Sequence, residues 1–168
     1  MPSVLFVCRA NQFRSPLAAA FLLKQIDSDH RSEEWSVGSA GTWTKPGQPA
    51  ASVAMRIASR LNLPGLDAYH TYQVSRELLD GYDLILTMET GQLEAITSEF
   101  PAVSDRSRLL SEVVDGMPYD IPDPVDLMND PEEVASELQM LIEKGGEKIL
   151  KLAETLHQAR QILREGDS

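Results

Sequence analysis

The chain has 168 residues, 42% of them hydrophobic and 24% charged, enough for one well-buried domain and too few for two ordinary ones. Its 26 acidic residues against 15 basic ones leave a formal net charge of −11, which argues against nucleic acid and anionic membrane as partners because both require a basic surface. The single cysteine, Cys8, excludes an intramolecular disulfide and a thiolate-rich zinc site.

Met-Pro-Ser precedes the first apolar run without a basic region or cleavage-site pattern, and no apolar stretch approaches transmembrane length, so a cytoplasmic, monomeric protein is expected. Along the chain, strand-like apolar runs alternate with stretches of helical period, which points to an α/β fold forming one domain over residues 1–168. Val4 to Cys8 reads as the first strand; Ser15 then supplies a helix N-cap and Pro16 the first helical position for "LAAAFLLKQI". A second strand is expected near "EWSVGSAG" and a helix in "PAASVAMRIASRLN". The continuous apolar run of "YDLILTM", residues 82–88, suits a strand of a parallel sheet covered on both faces. A short helix follows in "GQLEAITSEF", then a fourth strand around "SRLLSEVV". In the last helix Asp130 caps, Pro131 starts, and Leu138, Leu141, Ile142, Ile149, Leu152 and Leu156 line one face. Gly145 and Gly146 weaken that helix locally or allow a close approach to the sheet.

The position of Cys8 is the first sign of chemistry. In a parallel sheet the functional crevice lies at the carboxyl ends of the strands, where loop amides and a helix N-terminus converge into an anion site. Those donors, with Arg14 six positions on, favour thiolate over thiol, and the thiolate is the nucleophilic species. A free cysteine is more often a small buried residue closing a strand. Arg14 weighs against that plain reading: positive charge near a helix N-terminus is unfavourable, whereas a planar guanidinium grips two phosphoryl oxygens. Further along, Asp120, Asp123, Asp126 and Asp130 stand among prolines, where acidic residues commonly form turns. Their spacing lacks the glycine and terminal glutamate of a calcium loop, and His30, His70 and His157 lack the i, i+4 pairing of a zinc helix, so neither metal nor cofactor is expected.

The series Cys8-x5-Arg14-Ser15-Pro16, "GSAGT" at 38–42, "YDLILTM" at 82–88 and "DIPDP" at 120–124 resembles the low-molecular-weight protein tyrosine phosphatase family in order and spacing, over nearly the whole chain. The resemblance implies a three-layer α/β domain, a four-stranded parallel sheet flanked by helices, and a metal-free phosphomonoesterase acting on a phosphorylated protein or small aryl phosphate, with inorganic phosphate as product. It makes Cys8 the nucleophile, Arg14 the phosphate clamp and Asp123 the general acid. The backbone amides of Arg9, Ala10, Asn11, Gln12, Phe13 and Arg14 form the oxygen cradle. Ser15 becomes the hydroxyl bonded to the sulfur, and Asn11, Ser39 and His70 support the loop.

Several positions depart from the pattern. Phe13 replaces a second cysteine able to protect the first by a reversible disulfide. Ala10 stands for a glycine and Ala19 for a glutamate, while Gln12 occupies the position where an aliphatic residue or threonine accompanies substrate choice. Val125, with Asp126 behind it, replaces an aromatic, and Trp43 in "GTWTKPGQ" offers a wall from another loop. The segment "HTYQVS" is one residue short and carries Tyr72 where an arginine is common. Two alternatives stand beside the phosphatase: an arsenate reductase on the same fold, which here would need an external thiol, and a non-catalytic phosphate-binding protein. Joint retention of Cys8, Arg14, Ser15 and Asp123 speaks against the last, since a binding module has no use for a proton donor.

Overall fold

Six consecutive buried residues, Ser3–Cys8, form strand β1, and the uninterrupted apolar run Val4 to Cys8 within it reflects cover on both faces. The computed structural model describes residues 1–124 and 128–167. β1 pairs in parallel with β2 (Ser36–Gly41) on one side and β3 (Leu84–Thr87) on the other, and β4 (Ser107–Leu109) completes the order β2-β1-β3-β4. The helices are α1 (Arg14–Ser28), α2 (Ser52–Arg60), α3 (Arg76–Asp80), α4 (Thr90–Glu99), α5 (Leu110–Asp115) and α6 (Pro131–Gly166).

Side chains alternate along β1, and each set meets a different layer. Val4, Phe6 and Cys8 pack with Leu17 and Leu22 of α1, Ala54 of α2, Val114 of α5 and Leu138 and Ile149 of α6. Leu5 and Val7 pack with Leu79 of α3 and Ile96 of α4. The chain therefore leaves β1 toward one face and β3 toward the other. That divergence opens a crevice at the carboxyl ends of β1 and β3, the place where parallel sheets bind ligands.

Several elements differ from the expectations. β4 keeps only three residues, and the remainder of "SRLLSEVV" is helix α5. The apolar residues Leu109, Leu110, Val113 and Val114 recur at helical rather than alternating spacing, and an edge strand of this length already satisfies β3. The glycines of α6 serve helix contacts instead of a sheet contact. A Cβ on Gly145 would stand 2.5 Å from Val114 of α5, and one on Gly146 2.4 Å from Gln25 of α1. Asp130 caps α6 by accepting from Glu132 N (3.0 Å), with Pro131 in the first turn.

At the opposite, amino end of the strands sits a closed polar clasp. The buried carboxylate of Asp83 accepts from Ser3 N (3.0 Å), Ser3 Oγ (3.1 Å), His157 Nδ1 (2.9 Å) and Arg160 NH1 (2.8 Å). The last two partners come from α6, so this carboxylate ties the far end of the long helix to the sheet. No described helix is long and apolar enough to cross a membrane.

Candidate active site

The five residues between Cys8 and Arg14 turn the chain from β1 into α1, and Asn11 is their pivot. Its φ of 60° lies in the left-handed region, which asparagine tolerates better than bulkier residues. Its side chain is fully buried and spends every polar atom: Nδ2 donates to Ser15 Oγ (2.8 Å) and Ser39 Oγ (3.0 Å), and Oδ1 accepts from Tyr72 N (2.8 Å). Tyr69 Oη donates to the Asn11 carbonyl (3.0 Å) and lies 3.0 Å from Ser39 Oγ.

Counting protons gives this network a direction. Tyr69 has one, committed to Asn11 O, so the Ser39 hydroxyl donates to Tyr69. Ser15 Oγ accepts from Asn11 and has its own proton left for Cys8 Sγ at 2.9 Å, a shorter path than Ala40 O at 3.4 Å. Asn11 N also donates to Cys8 Sγ (3.3 Å). Two donors thus converge on a sulfur that is 2% exposed. Burial raises the Tyr69 phenol above its ordinary value of 10, which keeps it a donor.

Ser15, expected to cap the helix, gives its hydroxyl to the sulfur instead. α1 begins two residues earlier than expected, at Arg14 instead of Pro16, and its N-cap position is Phe13, which makes no side-chain cap. The helix therefore turns an uncapped N-terminus toward the crevice, the arrangement that binds anions through main-chain donors. The Phe13 side chain itself belongs to the core. Gln12 points away, its Nε2 donating to Pro49 O (3.4 Å).

Arg14 is 2% exposed and held from two sides. Its NH1 donates to Glu89 Oε1 (2.6 Å) and to the Ile121 carbonyl (2.9 Å), and its NH2 stands 3.3 Å from Asp123 Oδ2. Glu89 follows β3 and doubles as the N-cap of α4 in a capping box with Gln92, so the clamp residue is fixed to the start of a helix. Of the four aspartates in the acidic loop, Asp120 accepts from Thr90 N (2.8 Å) and Oγ1 (2.9 Å), and Asp130 caps α6. Among the described aspartates, Asp123 is the one brought to Arg14. Val125 and Asp126 lie outside the described residues. Trp43 is exposed at the loop's other flank, with the Arg9 guanidinium 4.9 Å above its ring.

The profile of the family described as Low molecular weight phosphotyrosine protein phosphatase matches residues 3–162. The chain belongs to this family. It is 34% identical to a protein-arginine-phosphatase of Geobacillus stearothermophilus over 152 residues, 87% of this chain and 95% of that protein. It is 31% identical to the low molecular weight protein-tyrosine-phosphatase YfkJ of Bacillus subtilis over 157 residues, 89% of this chain and 94% of that one. A crystal structure of the low molecular weight protein tyrosine phosphatase from T. tengcongensis superposes with a TM-score of 0.79 at 29% identity, covering 88% of this chain and 99% of that one.

Within the family frame, His70 is the expectation that fails. It is exposed and makes no hydrogen bond to the loop among the described residues. The support comes from its neighbour Tyr69, whose hydroxyl reaches the Asn11 carbonyl. Glu89, which pairs with Arg14, was also missed. The capping pattern of Glu89 and Gln92 was visible in the sequence; the pairing of Glu89 with Arg14 was not.

Proposed function

We propose that the protein hydrolyses phosphomonoesters on protein side chains through a cysteinyl-phosphate intermediate, with Cys8 as nucleophile, Arg14 as phosphate clamp and Asp123 as general acid and base. The observation that carries this reading is the convergence of Asn11 N–H and the Ser15 hydroxyl on Cys8 Sγ, with Arg14 and Asp123 3.3 Å apart at the same strand ends.

In the first step the thiolate attacks phosphorus, an S–P bond forms and the P–O ester bond breaks. Asp123, protonated, passes its proton to the departing oxygen, so the leaving group departs as an alcohol. The ionised Asp123 then takes a proton from water as that water attacks phosphorus; the S–P bond breaks and inorganic phosphate and thiolate are released. The cradle amides and Arg14 carry the charge on the peripheral oxygens through both steps. Ser15 and Asn11 solvate the sulfur each time it becomes an anion, which lets it act as leaving group in the second step as well as nucleophile in the first. The two relatives named above act on different side chains by name, and both belong to the same class, phosphorylated proteins.

Purified protein is expected to hydrolyse an aryl phosphate without added metal and in the presence of chelator. Cys8→Ser abolishes turnover, and Asp123→Ala slows it by about a hundredfold, the usual cost of losing a general acid. Turnover that survives Cys8→Ser, followed by release of inorganic phosphate, would falsify the covalent path.

A further inference from the structure

Trp43 is 71% exposed, yet the segment that carries it is fastened to the body. Its N–H donates to the Arg9 carbonyl (3.0 Å). The Gln73 amide holds both neighbours, its Nε2 donating to Thr42 O (2.9 Å) and its Oε1 accepting from Thr44 N (2.8 Å). An exposed aromatic on a fixed backbone offers contact area at little further ordering cost.

Arg9 lies over that ring, 4.9 Å from its centroid, and is held with it. Its main chain is equally fixed: Gly41 is packed so closely that a Cβ there would stand 2.5 Å from the Arg9 carbonyl. Arg9 follows Cys8 directly, about 3.8 Å from Cα to Cα. Arg14 is flanked by two carboxylates, whereas the exposed Arg9 has no ion-pair partner among the described residues. In a chain of net charge −11, this leaves an unneutralised cation over the Trp43 ring, on the residue that follows the nucleophile in the chain. Such a local reversal of sign draws negative charge to one spot.

We propose that Arg9 is a specificity-determining residue: with Trp43 it selects aryl phosphates flanked by a second anionic group, the chemistry of phosphotyrosine within an acidic segment. The inference rests on the phosphatase reading above. The ring takes the aryl leaving group on its exposed side, and the guanidinium takes the flanking carboxylate. A guanidino leaving group carries its own positive charge and is repelled by Arg9, so phosphoarginine is the poorer substrate.

The test measures kcat/KM for phosphotyrosine hexapeptides with acidic, neutral and basic flanks, and for a phosphoarginine hexapeptide with acidic flanks. The wild-type order is acidic over neutral over basic, with about tenfold between the extremes at low ionic strength, narrowing as salt is added. Arg9→Lys preserves the order, Arg9→Gln levels it to within about twofold, and Arg9→Glu inverts it. Trp43→Ala raises KM for all three phosphotyrosine peptides alike. Equal kcat/KM for the three in the wild type, an order unmoved by Arg9→Glu, or phosphoarginine as the better substrate overturns the inference and leaves the phosphatase standing. No turnover of any peptide overturns the phosphatase reading itself.

Discussion

Both ends of β1 carry a buried polar network, and they differ in where the hydrogen bonds finish. At the amino end the side-chain bonds gather on Asp83 and on neighbouring main-chain carbonyls, which draws Ser3, His157 and Arg160 into a clasp with no nucleophilic sulfur among its members. At the carboxyl end the bonds run from Tyr69 through Asn11 and Ser15 and stop at a sulfur. One rule governs both: a buried polar group must be paired. In the clasp that requirement ties a helix to a sheet. In the loop the same requirement leaves a nucleophile wrapped in donors.

The comparison breaks most sharply at Asp83. Asp83→Ala removes the acceptor shared by the Ser3 amide, the Ser3 hydroxyl, the His157 ring and the Arg160 guanidinium, and is expected to lower unfolding stability by about 3 kcal/mol, near the lower limit for a broken buried pair because Arg160 keeps its bonds to Tyr82 O and Asp80 O. Aryl-phosphate kcat/KM of the folded fraction stays within about twofold, and denaturant titration run beside the assay checks both. Gly145→Ala attacks the clasp indirectly, since the new methyl meets Val114 and displaces the helix that carries His157 and Arg160. It should cost about 2 kcal/mol, a typical penalty for overpacking, again with activity kept.

Tyr69→Phe addresses the other end. It removes the donor to Asn11 O and the acceptor for Ser39, at about 1 to 2 kcal/mol. Here kcat also falls, by about tenfold, because the loop residue that positions two donors on the sulfur is loosened. A Tyr69→Phe enzyme with unchanged kcat would show the two networks to be equivalent staples. The mildest effect comes from pH. Burial raises both Tyr69 and Tyr82 above the ordinary value of 10. A group whose folded-state value is raised contributes stability that is present below its unfolded value and lost as pH climbs toward the folded one. Melting temperature should hold up to about pH 10 and decline above it, with the Tyr69→Phe variant declining less.

Local signals were legible in the residues alone. The run Val4–Cys8 is apolar throughout and so reads as a covered parallel strand. Asp130-Pro131 marks a helix start because a cap and its amide lie two residues apart. The spacing of Cys8 and Arg14 places a thiol and a guanidinium around one helix N-terminus, since a loop of that length has little choice of path. By contrast, Ser15 looked like a cap, and its hydroxyl serves the sulfur; the tail of "SRLLSEVV" looked like strand, and packing under α6 makes it helix.

Which polar groups meet was decided by the tertiary structure. Tyr69 reaches Asn11 across 58 positions and Glu89 reaches Arg14 across 75. Among the three described aspartates of that stretch, only the folded path of the loop distinguishes Asp123, beside Arg14, from Asp120, which accepts from Thr90 at the start of α4, and Asp130, which caps α6. The physical reason is that backbone conformation answers to neighbours within a turn or a strand, whereas a buried hydrogen bond answers to whatever the fold carries within 3 Å of it.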